Sequence, residues 1–217
     1  MVYARDRGQR WGIRAARLFD GKVMHRGMPL AVIQVDRIVG VDLSGTRPSV
    51  ELPLVALGDV TLLPGLIDAH VHLAFDPCGD VAEHMQADDQ ATLMARIRRH
   101  AFASSRVAAA RALLPRMHRE GVRLVCSSDA GVVAAKPHNC LPRGLGDFKA
   151  YAELSPAEVI ASVTSLAAQS CGIGERKGKI AAGYEADLLA VVGDPEKDLQ
   201  ALGAVSTVFR AGQRIPS

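Results

Sequence analysis

Two histidines, His70 and His72, stand two residues apart in the run Leu63-Pro-Gly-Leu-Ile-Asp-Ala-His-Val-His-Leu73. The Pro64-Gly65 pair is a turn signal, and the apolar residues after it predict a short strand. Side chains at i and i+2 of a strand share one face, with Cβ atoms about 6.5–7 Å apart. Zn–N bonds are about 2.0–2.1 Å, so two imidazoles at that spacing can lean toward one ion. This pair is the candidate half of a metal site, and the elements around it must supply the rest.

Those elements follow from the apolar pattern. Residues 11–63 alternate short apolar stretches with turn residues, as in Leu30–Ile33, Arg37–Asp42, Leu52–Leu57 and Val60–Leu63, which predicts strands of one half of a β-sandwich. Residues 82–119 have helical periodicity, with Pro115 expected as a breaker and Gly121 as the C-terminal glycine. Val122–Gly131 reads as an apolar strand ending in Asp129, and residues 132–146 as a Pro- and Gly-containing loop. Ser155, Pro156 and Glu158 form a capping-box start for a helix that carries Val159, Ile160, Val163 and Leu166 and ends at Gly172. The tail returns to strands at Asp187–Val192 and Val205–Arg210, with a turn at Ala211-Gly212. Asp68 and Asp187 sit at strand–turn junctions, where aspartates bond backbone N–H groups.

Composition narrows the function classes. The 217 residues are 48% hydrophobic and 23% charged, with a formal net charge of +3, which is ordinary globular composition. Basic residues are dispersed, the dense stretch Arg96–His100 reads as a solvated helix face, and aromatics make up only 4%, too few for base stacking; no nucleic-acid partner is expected. No run approaches a membrane span and the first ten residues lack an apolar signal core, so no membrane partner and a cytoplasmic location are expected. Cys78, Cys126, Cys140 and Cys171 form no Cys-x-x-Cys pair and are expected to be reduced thiols. His84, His100 and His118 are expected to be solvated helix residues.

Four segments, taken in order, resemble the metal-dependent amidohydrolase superfamily, with imidazolonepropionase-like and Xaa-Pro-dipeptidase-like members nearest. Ala16-Arg-Leu-Phe-Asp-Gly21 is similar to the opening strand, and Leu63–Leu73 to the first barrel strand with its His-x-His. Cys126-Ser-Ser-Asp-Ala-Gly131 resembles the eighth strand, and Gly178–Leu188 the C-terminal sandwich signature. The resemblance implies an α/β fold, a (β/α)₈ barrel with a small β-sandwich built from both chain ends. It implies His70, His72 and Asp129 as metal ligands and Asp129 as the catalytic proton carrier. His138, on the loop above the strand end, becomes a substrate-binding candidate.

Length sets this chain apart from that pattern. A barrel alone takes about 250 residues, and only 56 residues separate His72 from Asp129. The expected architecture is therefore a truncated barrel: a composite sandwich from 11–63 and 178–217, and a barrel remnant over 64–177 holding the first and eighth strand units, joined near 101–105. The bridging lysine and two later histidines of the family have no counterpart, and Lys136 and Lys149 fall after Asp129. The implied chemistry is hydrolysis of a C–N bond of a small molecule by water activated on one zinc-class ion. The alternatives are a non-catalytic structural remnant or a truncated gene product. With the neighbouring strands missing, Leu66, Val71, Leu73, Leu124 and Cys126 are expected to lack some of their partners, which favours self-association through exposed strands.

Overall fold

The computed structural model describes residues 8–45, 52–71, 108–131 and 137–216. The N-terminal strands are β1 (Arg10–Arg14), β2 (Arg17–Phe19), β3 (Met24–Arg26), β4 (Leu30–Gln34), β5 (Arg37–Asp42), β6 (Leu54–Ala56) and β7 (Val60–Pro64). A helical segment over 108–119, α1, precedes α2 (Leu141–Ala152), α3 (Pro156–Ser162) and α4 (Ser165–Ser170). Strand β8 (Leu188–Val192), a 3-10 turn (Leu199–Gly203), β9 (Val205–Arg210) and β10 (Gln213–Ile215) complete the order.

Two sheets result, ordered β5-β4-β1-β6 and β10-β9-β8-β7-β2-β3. The second sheet joins both ends of the chain, because β7 pairs in parallel with β2 and antiparallel with β8, from Val60↔Val192 to Pro64↔Leu188. Period-two alternation then gives this sheet two apolar faces. Leu18, Leu62, Leu188 and Ala190 join Ile13, Ile33 and Ile38 of the first sheet in one buried cluster, with the Trp11 and Phe209 ring centroids 5.9 Å apart. Phe19, Leu63, Leu189 and Val191 point the other way, into a cluster with Leu145, Val159, Ile160 and Leu202 of the helical layer.

Polar clamps hold the layers in register. Asp187 is paired with Lys177 and accepts from the Ala211 N–H at 2.7 Å, fixing the β9–β10 turn. Burial alone would raise the Asp187 carboxyl; the lysine and the backbone N–H outweigh it, and the pKa lies below the ordinary value. Ala211 and Gly212, with φ of 49° and 71°, supply the two left-handed residues that a tight hairpin needs.

The structure departs from the sequence reading in four places. The helix over 108–119 runs through Pro115, which is buried. The loop expected over 132–146 gives way at Leu141 to α2, which has Pro142 in its first turn and buries Leu141, Leu145 and Ala152. The capping box at Ser155 and Glu158 is present, but the helix breaks after Ser162. Its Val163 carbonyl accepts from Ile67 N–H at 2.8 Å, and the Ser162 and Thr164 hydroxyls bond to carbonyls of the preceding turn. Finally, residues 122–129 form no regular ladder; a single parallel bridge, Val71↔Ala130, joins this segment to the His70 segment. Leu66, Leu124 and Cys126 are half-buried against the helical cluster and so do find partners, while Leu73 lies outside the described residues. Among the described residues no helix is long and apolar enough to cross a membrane.

Two measurements check this account. Ser155→Ala should lower stability by about 1 kcal/mol in urea unfolding. The depressed folded pKa of Asp187 means its stabilisation is complete above the unfolded value of about 3.9 and is lost as pH falls through the folded value. The melting temperature should therefore drop below about pH 4, and Asp187→Asn should flatten that acid limb while lowering the neutral-pH plateau.

Candidate metal centre

The chain reaches the site from the centre of the larger sheet. Leaving β7, Gly65 N–H donates to the Asp187 carbonyl at 2.9 Å and Ile67 N–H to the Val163 carbonyl at 2.8 Å. The segment over 65–71 is thus tied to β8 and to the end of α3 although it forms no ladder of its own. The second segment arrives from α1, which closes on Gly121 (φ 84°) with Gly121 N–H bonded to the His118 carbonyl and Val122 N–H to that of Met117. It then runs beside the first, with Leu124 and Cys126 against the helical cluster.

Where the segments meet, Asp129 N–H donates to the His70 carbonyl at 3.0 Å, and the Val71↔Ala130 bridge follows. Asp129 has φ 51°, a left-handed conformation that aspartate tolerates better than most residues. Its Oδ1 lies 3.3 Å from His70 Nε2, with the side chains 53% and 64% exposed. The geometry therefore brings together two of the three expected ligand residues, which lie 59 positions apart in the chain. A tetrahedral zinc with bonds of about 2.0–2.2 Å keeps neighbouring ligand atoms about 3.3–3.6 Å apart, so this imidazole–carboxylate pair has the chemistry and the spacing of two ligands in one shell. His72 lies outside the described residues, and among the described residues no group of three or more His, Cys, Asp or Glu is placed to hold an ion.

Asp68 and Ser128 underlie this contact. Asp68 Oδ1 accepts from the N–H of His70 at 3.3 Å and of Ser128 at 3.1 Å, while Oδ2 takes the Ser128 hydroxyl. The sequence marks Asp68 as a turn aspartate but hides its partner across the site; Ser128 stands inside the Cys126–Gly131 motif without a spacing that would single it out.

The remaining candidates lie elsewhere. His138 lines a cavity of about 800 Å³ with Leu141, Leu189 and Arg210, between α2 and the β8–β9 face; His70 and Asp129 are not among its walls. His118, expected to be solvated, pairs its Nε2 with Glu158 at 3.2 Å and links α1 to the capping box of α3. Lys149 lies in the last turn of α2, while Lys136, His84 and His100 fall outside the described residues.

The described residues form a mixed α/β fold, and comparisons with known proteins give its family. The model of the amidohydrolase family matches residues 81–215, more than half of the chain, a stretch that includes Asp129 and begins after His70 and His72. The chain belongs to the amidohydrolase family. Among solved structures, a Bifidobacterium longum protein described as a prolidase is 15% identical with a TM-score of 0.69, covering 97% of this chain and 95% of its own. A Xaa-Pro dipeptidase with bound methionine is 13% identical with a TM-score of 0.66, covering 96% and 100%. The ochratoxinase of A. niger is 12% identical with a TM-score of 0.66, covering 95% and 96%. No curated protein matches the chain.

Cys126, three residues before Asp129, offers no nucleophile. Burial, reinforced by the nearby Asp68 charge, pushes its thiol up to about 11. Only the thiolate reacts, so Cys126 should alkylate with iodoacetamide at pH 8 at least about tenfold more slowly than the exposed Cys171, as resolved by peptide mass mapping.

Proposed function

We propose that this chain is a metal-dependent amidohydrolase reduced to the first and eighth strand units of its barrel. In this reading it binds one zinc-class ion through His70, His72 and Asp129 and hydrolyses a C–N bond (amide, peptide-like or cyclic amide) of a small substrate. The observation that carries the reading is the 3.3 Å approach of His70 Nε2 to Asp129 Oδ1. When bound, such an ion lowers the pKa of its water to about 7 and polarises a carbonyl oxygen. Asp129 is the base that takes a proton from the attacking water and returns it to the leaving nitrogen. His70 and His72 fix the ion. Only 56 residues separate His72 from Asp129, which is the basis for reading the barrel as shortened. Prolidase and dipeptidase neighbours make a dipeptide-like amide the substrate class to try first.

The exposure of both side chains favours a second reading, a self-associating protein without turnover, because active sites of this chemistry exclude bulk water. Its contact would form along the segments around Val71 and Ala130, which share a single bridge, as a homo-oligomer.

Zinc titration followed by elemental analysis, run beside turnover of an Xaa-Pro dipeptide panel, separates the two. The first reading expects one zinc per chain, loss of that zinc in His70→Ala, and a fall in kcat of about 10²–10⁴ in Asp129→Asn. No zinc at saturation sinks it. Bound zinc without turnover, in a chain that sediments as an oligomer, selects the second.

A further inference from the structure

We infer that Asp68 is a positioning residue that clamps the two ligand-bearing segments together through Ser128. Its carboxylate is shared between them: Oδ1 takes the N–H groups of His70 and Ser128, and Oδ2 takes the Ser128 hydroxyl. Ser128 Oγ in turn accepts from Ala130 N–H at 3.0 Å, so the clamp spans both sides of Asp129. Other ties between the segments among the described residues include the Asp129-to-His70 backbone bond, the contact of the His70 and Asp129 side chains and the Val71↔Ala130 bridge. A lone bridge does not fix register as a ladder does, and Asp129 has a left-handed backbone that its surroundings must hold in place. Three bonds to one carboxylate, two of them crossing from one segment to the other, supply that constraint. Hydrogen bonds to an ionised acceptor are about twice as strong as neutral ones, and this acceptor bears on the two residues whose separation defines the site. The bonds Asp68 makes go to backbone N–H groups and the Ser128 hydroxyl, so it acts through the His70 and Asp129 segments.

The inference rests on the proposed metal site for one of its readouts and stands apart from it for the other. Cobalt(II), whose visible d–d bands report ligand geometry, is titrated into the whole wild-type chain and into Asp68→Ala, Asp68→Asn and Ser128→Ala. Asp68→Ala should weaken cobalt binding about 10–100-fold and shift the band. Asp68→Asn, which keeps one carbonyl acceptor for the two N–H groups, should recover part of both. Cobalt affinity and spectrum unchanged in a folded Asp68→Ala overturn the inference. Should wild type bind no cobalt, the metal reading fails, and amide hydrogen exchange of the metal-free chain decides about Asp68. Slow exchange at His70 and Ser128 that becomes fast in Asp68→Ala supports the clamp. Fast exchange at both positions in wild type overturns it. Where Asp68→Ala does not fold, Asp68→Asn and Ser128→Ala carry the same two measurements.

Discussion

Burial of the six-stranded sheet on both faces is the constraint on which the rest of the structure depends. Its inner strands alternate between two apolar clusters, one shared with the smaller sheet and one with the helices. A strand buried on both sides tolerates almost no shift in register, since a slip of one residue exchanges the faces. Strand β7, flanked by β2 and β8, is therefore a fixed line from which the next residues depart at a set angle and height. The candidate ligands inherit their position from it. Gly65 and Ile67 tie the departing chain to β8 and to the end of α3, and Asp68 then draws in the segment that carries Asp129.

Much of this was legible in the sequence where a local rule acts alone. Strand β5 spans Arg37–Asp42 and β9 spans Val205–Arg210, just as alternation and flanking turn residues indicate. The capping box at Ser155 and Glu158 is a local device and is found as read. The departures arise where a distant partner decides. Pro142, Gly144 and Gly146 look like a loop, but Leu141 and Leu145 bury against the helical cluster and the segment coils into α2. The break after Ser162 comes from Val163, whose carbonyl serves Ile67, a residue nearly a hundred positions away.

The candidate site divides along the same line. The types and spacing of His70 and His72 pointed to a metal, and the motif around Asp129 to its partner. Nothing in the linear pattern could show that Asp68 reaches Ser128, 60 residues on, because that contact is made only when the two segments lie side by side. Likewise His118, on a polar stretch that reads as solvated, meets Glu158 only once α1 lies against α3. Side-chain type announces chemistry; which groups share it is set by packing.

The pairing of β7 with both β2 and β8 also bears on how the chain is made. As the polypeptide leaves the ribosome, the strands up to β7 are complete while β8 to β10 are still unsynthesised. During that interval the edge of β7 that will receive β8 presents unpaired backbone groups, with Leu62 and Leu63 flanking it. The sheet closes only when β8 emerges, so its decisive contacts are non-local and slow to form. Until that edge is covered, it offers a template on which another chain can pair.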